Sequence, residues 1–179
     1  MRPEEKYTKM QLDWYNEKAK DWSVDNRDPV VGLYEKHNAH EDYGIYLFKD
    51  KETSGKVCLD FGCGPGRNID QFGDRFERMD GVDICPTLIQ KAREWLPPDP
   101  KLYVCNGRDL SVIDSDVYDF VMSTICLQHI AVHEIRCHYF EEFLRVLKPG
   151  GWICLQMGFG VKPSGHVVSY YDNFYDERN

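Results

Sequence analysis

The sequence predicts an α/β fold: a doubly wound, mainly parallel sheet with helices on both faces, preceded by an N-terminal helical appendage. Three observations lead there. From Lys56 onward short β-rich runs alternate with helical segments. Runs such as 120–122 are apolar without alternation, as strands covered on both faces require. A glycine-rich turn, L-D-F-G-C-G-P-G-R over residues 59–67, joins the first strand to the first crossover helix.

The elements follow in order. Residues 1–55 are polar and helical, and Leu12, Tyr15, Ala19 and Trp22 fall at i, i+3, i+7 and i+10, the stripe of a helix buried along one side. Asp28-Pro29 places a capping acid before a proline at a first helical position, so two or three short helices are expected. Residues 37–43, H-N-A-H-E-D-Y, form a polar cluster that suits either a solvated capping loop or a substrate-facing one. Strands are expected at 56–61, 78–83, 101–105, 118–123 and 152–157, with helices at 67–72, 86–95 and 133–147. In the last helix Ile135, Tyr139, Phe143, Val146 and Leu147 line one face, and Lys148-Pro149-Gly150-Gly151 ends it. One domain is the expectation, with a helical cap at 1–55, a core at 56–157 and an incomplete C-terminal part at 158–179.

Composition narrows the function. The chain has 179 residues, 30 Asp plus Glu against 22 Lys plus Arg, and a net charge of −8, which gives no basic stripe for a phosphate backbone and argues against nucleic acid as a partner. Seven scattered cysteines with no C-x-x-C pair fit neither a disulfide framework nor a zinc site, and most sit in apolar runs where cysteine packs as a small hydrophobe. The first ten residues carry charges without an apolar stretch, and no run approaches the roughly 18 apolar residues of a membrane span, so a cytoplasmic protein is expected.

A strand, glycine turn and helix place a ligand outside the carboxyl end of the strand, beside a helix N-terminus. A dinucleotide fold needs G-x-G-x-x-G, but the glycines here are Gly62, Gly64 and Gly66, with Arg67 where the third would fall. A phosphate-cradling P-loop needs a Gly-Lys-Ser/Thr that does not follow. Asp83 ends the second strand, where a carboxylate can accept both hydroxyls of a ribose, or else cap the turn ahead of Pro86.

Taken together, L-D-F-G-C-G-P-G-R, G-V-D-I-C-P-T-L-I, N-G-R-D-L, Y-D-F-V-M-S-T-I-C-L-Q-H-I and F-L-R-V-L-K-P-G-G-W resemble the class I S-adenosylmethionine-dependent methyltransferases of the small-molecule type, over roughly residues 57–156. The resemblance implies a Rossmann-like fold, S-adenosylmethionine as cofactor and S-adenosylhomocysteine as product. It implies that Asp60, Gly62, Cys63, Gly64 and Gly66 surround the methionine part, that Asp83 takes the ribose and that Ile84 packs on adenine. Asp109 would meet the adenine amino group, with Arg108 and Leu110 adding backbone and apolar contacts, and Ser123 would face the methionine end. A sulfonium carries its own charge and leaving group, so no phosphate cradle is needed.

His129, after the fourth strand, is the candidate catalytic base or else a residue that fixes its loop. Tyr15 and Trp22 could close aromatic faces over the sulfonium and the acceptor, or simply pack a helix. His133-Glu134 and His138 are one residue too far apart for H-E-x-x-H; their imidazoles would diverge by about 140° around a helix, so no metal site is read here. The family's sheet has seven strands, and only 22 residues follow Met157. Either the chain is truncated within the substrate-binding half, or it is a short form that completes its sheet edge by pairing with another subunit, as in a homodimer, or leaves that edge open. The expected function is methyl transfer to an O, N or C nucleophile of a small molecule. The alternative is a binding module for the cofactor without turnover; a nicotinamide oxidoreductase is disfavoured by Arg67.

Overall fold

The computed structural model describes residues 3–22 and 46–157. The expected cap at Asp28-Pro29, the 37–43 cluster and the 158–179 tail lie outside them. Helix α1 spans Pro3–Lys20 and precedes the sheet. Then β1 (Val57–Phe61), α2 (Arg67–Phe72), β2 (Arg78–Asp83), α3 (Pro86–Trp95), β3 (Leu102–Val104), β4 (Tyr118–Thr124), α4 (His133–Val146) and β5 (Leu147–Gln156) follow in order. The strands are ordered β3-β2-β1-β4-β5, and every pair is parallel. This is the Rossmann-like arrangement that the alternation of elements predicts. The order reverses between β1 and β4, so a crevice opens beyond their carboxyl ends.

Alternation along each strand builds two cores. Leu59, Phe61, Val82 and Val121 face α4, whose Ile135, Tyr139, Phe143 and Val146 meet them. Their neighbours Cys58, Met79, Phe120 and Met122 face the other way, onto Ile69 and Phe72 of α2 and Ile89 and Ala92 of α3. Phe48 fills a corner of the second core edge-on against Phe72, Phe76 and Phe120, with ring centroids 5.9, 5.2 and 6.1 Å away. The stripe expected on α1 also finds a partner: Ala19 and Trp22 are buried on Cys85 and Leu88 of the α3 end, with Tyr15 packed alongside. Five of the cysteines are buried and free, as small core hydrophobes; Cys137 is exposed and Cys126 half-buried. Among the described residues no helix is long and apolar enough to cross a membrane.

One boundary differs from expectation. α4 ends at Val146, but β5 begins at once: Leu147 pairs with Tyr118 and Trp152 with Phe120, so Lys148 to Gly151 bulge opposite Asp119 alone. Gly150 takes φ +82°, and a Cβ on Gly151 would lie 2.9 Å from the Asp119 carbonyl oxygen. The bulge is pinned by the Asp119 carboxylate, which accepts from Lys148 Nζ at 2.8 Å and from the Val57 N–H at 3.0 Å.

Asp80 is fully buried in β2, and its carboxylate accepts from Arg78 Nε (2.9 Å), the Lys101 N–H (2.9 Å) and the Tyr118 hydroxyl (3.0 Å). It thereby ties β2 to β4 and to the entry of β3. Tyr118→Phe leaves one side of that carboxylate without a donor and should cost about 1.5–3 kcal/mol. Urea unfolding of the two proteins measures the difference, and equal midpoints would show that the hydroxyl is dispensable.

Candidate functional site

A cavity of about 480 Å³ opens at the crevice, within the size range of small-molecule sites. Gly62, Cys63 and Gly64 form its wall at the end of β1, and Asp83 and Ile84 at the end of β2. Thr124, Ile125, Cys126 and His129 line the side after β4, while α1 lies across the top with Tyr7, Thr8, Gln11 and Tyr15.

The glycine turn is built by close packing. Gly62, Gly64 and Gly66 all have positive φ, at +75°, +54° and +95°. A Cβ on Gly62 would lie 2.3 Å from Cys126 Sγ, and one on Gly66 2.5 Å from Leu96 Cδ1. Two of the three glycines thus make room for neighbouring side chains; Gly64 faces the cavity. The Val82 carbonyl receives both the Gly62 and Cys63 N–H groups, at 2.8 and 3.1 Å.

Asp83 does two things at once. Its Oδ2 accepts the Gly64 N–H at 2.9 Å and its Oδ1 the Cys85 N–H at 2.8 Å, so it braces both the glycine turn and the turn that leads into α3 while lining the cavity. Burial raises its pKa, opposed by those N–H donors. Each oxygen keeps acceptor capacity for a ligand hydroxyl.

Asp60 is fully buried and is not part of the cavity wall. Both its oxygens accept from Asn68 Nδ2 at 3.2 Å, and the same amide group reaches Thr124 Oγ1 at 3.0 Å. Asn68 is itself buried and lines the cavity, and its Oδ1 has no hydrogen-bond partner among the described residues. Burial pushes Asp60 up to about 7, with the Asn68 hydrogen bond and the nearby Arg67 charge opposing it.

His129 closes a short 3-10 turn, Leu127–His129, at the cavity rim. Its carbonyl accepts from the Tyr7 hydroxyl and Gln11 Nε2, and Tyr7 in turn accepts the Ala131 N–H at 2.8 Å. The imidazole is half-buried, and burial lowers its pKa below the ordinary 6.5, which leaves it neutral near pH 7. Beside it, Ile125 holds φ +63°, a left-handed conformation rare for a β-branched residue and costing about 1–3 kcal/mol.

Of the residues singled out from sequence, Gly62, Cys63, Gly64, Asp83, Ile84, Tyr15, Trp22 and His129 meet at this one cavity. Asp60, Gly66, Arg108, Asp109, Leu110 and Ser123 are not among its lining residues. Ser123 donates to the Phe61 carbonyl at 2.9 Å, and it is the next residue, Thr124, that faces inward. Arg108 pairs with Glu5 of α1 at 3.4 Å, the Leu110 N–H goes to Glu142 at 2.8 Å, and Asp109 accepts the Ser111 N–H at 3.0 Å. Thr8 and Gln11 were missed, although they extend the Tyr15 stripe backward at the same helical spacing. Polar residues on an otherwise buried line were the available signal.

Because the wild-type Asp60 carboxyl holds a proton up to about 7 when folded and only to its ordinary 3.8 when unfolded, its contribution to stability is full below the unfolded value. It is lost as pH rises through the folded one. Asp60→Asn should therefore lose less stability than wild type between pH 4.5 and 8; parallel urea midpoints across that window would contradict the raised pKa.

Comparison with known proteins bears on the same region. Residues 59–155 match the family described as methyltransferase domain. Phosphoethanolamine N-methyltransferase 2 of Caenorhabditis elegans is 31% identical over 117 residues, which cover 59% of this chain and 25% of that protein. A tRNA (carboxymethyluridine(34)-5-O)-methyltransferase of Arabidopsis thaliana is 27% identical over 120 residues, 62% of this chain and 26% of that one. This chain therefore spans about a quarter of the length of those two relatives, and one of them acts on RNA. In fold, it resembles Haemonchus contortus phosphoethanolamine N-methyltransferase 1, solved with phosphoethanolamine and S-adenosylhomocysteine, with a TM-score of 0.69 at 14% identity over 92% of this chain and 35% of that one.

Proposed function

The chain belongs to the class I S-adenosylmethionine-dependent methyltransferases, and on that premise we propose that it moves the cofactor's methyl group to an O, N or C nucleophile of a small molecule. The observation that carries the reading is the convergence of the glycine turn, Asp83 and a neutral His129 on one cavity at the sheet's switch point. The acidic balance, 30 against 22, favours a small acceptor over RNA.

The residues fit the cofactor's chemistry. An amino acid with a cationic ammonium and sulfonium calls for acceptors, and the unpartnered Asn68 Oδ1 and the Asp83 oxygens supply them. Gly62, Cys63 and Gly64 would hold the methionine part, Asp83 the ribose and Ile84 the adenine face. S-adenosylmethionine supplies an electrophilic methyl with a neutral thioether as leaving group. The protein's part is orientation, which in favourable cases lowers a barrier by about 7–11 kcal/mol. His129 Nδ1 or Nε2 takes the proton of an O–H or N–H acceptor and passes it to solvent. Tyr7 and Gln11 hold that turn through its carbonyl, and Tyr15 and Trp22 line the same cavity from the α3 end.

Two variants test the assignment. Asp83→Ala should weaken S-adenosylhomocysteine binding by about 1.5–3 kcal/mol in a calorimetric titration; unchanged affinity in a folded protein would remove the ribose role. His129→Gln should lower kcat at least ~10²-fold while leaving cofactor affinity near wild type. The wild-type rate should climb with pH through a value below 6.5 and then level, as His129 loses its proton. S-adenosylhomocysteine release over a panel of hydroxylated and amino acceptors, with tRNA as one member, provides the readout. Intact binding with no turnover on any of them would leave a cofactor-binding module instead.

A further inference from the structure

On the adenine side of the cavity the loop after β3 is held in a way that turns its acid aside. Asn106 Oδ1 accepts the N–H groups of Arg108 (2.8 Å) and Asp109 (3.0 Å). Glu142 Oε2 takes the Leu110 N–H at 2.8 Å, and Arg145, paired with the same carboxylate at 2.8 Å, donates to the carbonyls of Leu110 and Ile113 at 2.9 Å each. With its backbone fixed from both sides, Asp109 directs its carboxylate to the Ser111 N–H, and Gly107 forms the cavity wall in its place.

Gly107 brings α1 to that wall. It sits at φ +79°, and a Cβ there would lie 2.5 Å from both Thr8 Cγ2 and Ile84 Cδ1. Thr8 is therefore pressed onto the same patch as Ile84, and both line the cavity. Thr8 Oγ1 is buried with no hydrogen-bond partner among the described residues. An unsatisfied buried hydroxyl is costly, and a change of χ1 rotamer places Oγ1 where Cγ2 now faces Gly107 and Ile84. The helix is clamped around this position by the Glu5–Arg108 ion pair on one side and by the Tyr7 hydroxyl at the His129 turn on the other.

We propose that Thr8 is the polar contact to the edge of the adenine ring, its hydroxyl accepting from the exocyclic amino group, the role that the sequence resemblance gives to Asp109. This rests on the cofactor reading above and makes α1 a specificity element for the cofactor as well as a wall of the acceptor site. A neutral hydroxyl accepts one hydrogen bond from the amino group and can donate one to the adjacent ring nitrogen. Because a hydroxyl also donates, a carbonyl at that position would still find a partner, whereas a base with hydrogen in place of the amino group loses the bond that the hydroxyl accepts.

The test is calorimetric binding of S-adenosylhomocysteine and of its purine analogue, in which hydrogen replaces the 6-amino group, to the full chain. Wild type should prefer the adenosine compound at least threefold. Thr8→Val should bind S-adenosylhomocysteine about three- to tenfold more weakly, with a smaller loss for the purine analogue; Thr8→Ser should stay near wild type. Asp109→Asn should leave the preference intact. Equal loss of both ligands in Thr8→Val would make Thr8 a packing residue only and overturn the proposal. So would a lost preference in Asp109→Asn, or no preference in wild type, which decides the matter even where Thr8→Val fails to fold. Absence of any S-adenosylhomocysteine binding by wild type would instead sink the cofactor reading itself.

Discussion

The cavity exists because the ends of β1 and β2 are laced together by one carbonyl and one carboxylate. The Val82 carbonyl takes two N–H groups from the turn after β1, and the next residue, Asp83, takes the Gly64 N–H and the Cys85 N–H. Gly62, Gly64 and Gly66, left-handed at alternate positions, have no regular ladder to satisfy the turn's backbone; these bonds take the N–H groups of residues 62–64, and the Cys63 carbonyl takes that of Gly66. The carboxylate that holds the turn also lines the cavity, so the brace and the proposed ribose contact call on one and the same arrangement of atoms.

The roof is attached with comparable economy. Among the described residues α1 and the turn after it meet the rest of the molecule at three places: the loop after β3 through Glu5 and Thr8, the His129 turn through Tyr7 and Gln11, and the start of α3 through Asn16, which accepts from Thr87 Oγ1 at 2.7 Å, and through Trp22. Each contact joins residues far apart in the chain, and each lands beside a different wall of the cavity. The helix is in consequence part of the site rather than a cover laid over it.

How much of this was legible follows from the range of the forces involved. Element boundaries were readable nearly to the residue, as at Arg67–Phe72 and Pro86–Trp95, because periodicity, glycines and prolines act locally. The start of β5 was not, since K-P-G-G terminates a helix and bulges a strand with the same residues. At the site, the sequence gives each loop's neighbourhood but not the direction of its side chains. Neighbouring strand residues point oppositely, so Ser123 was expected where Thr124 stands. Asp109 was expected inward because nothing local reveals that Glu142 and Arg145, some thirty residues on, fix the backbone of the next residue, Leu110. Asn68 was invisible for the same reason: its partners Asp60 and Thr124 are set by tertiary contact.

Ile125 shows how the strand at the sheet's edge reaches into the chemistry. A β-branched residue at φ +63° persists only where its surroundings over-determine it. Here Gln156, the last residue of β5, receives the Ile125 N–H on its side-chain oxygen at 2.9 Å and at 3.3 Å on its carbonyl. Those bonds depend on register. From Trp152 to Gln156 β5 pairs without interruption against Phe120 to Thr124, and a one-residue slip would withdraw Gln156 and face the opposite side chains inward. The irregularity of β5 is confined to Lys148 through Gly151, at the far end of the strand from the cavity, where Asp119 pins it. The bulge takes up the mismatch between a helix end and a strand start, and the regular ladder beyond it delivers Gln156 to the one strained residue on the cavity wall.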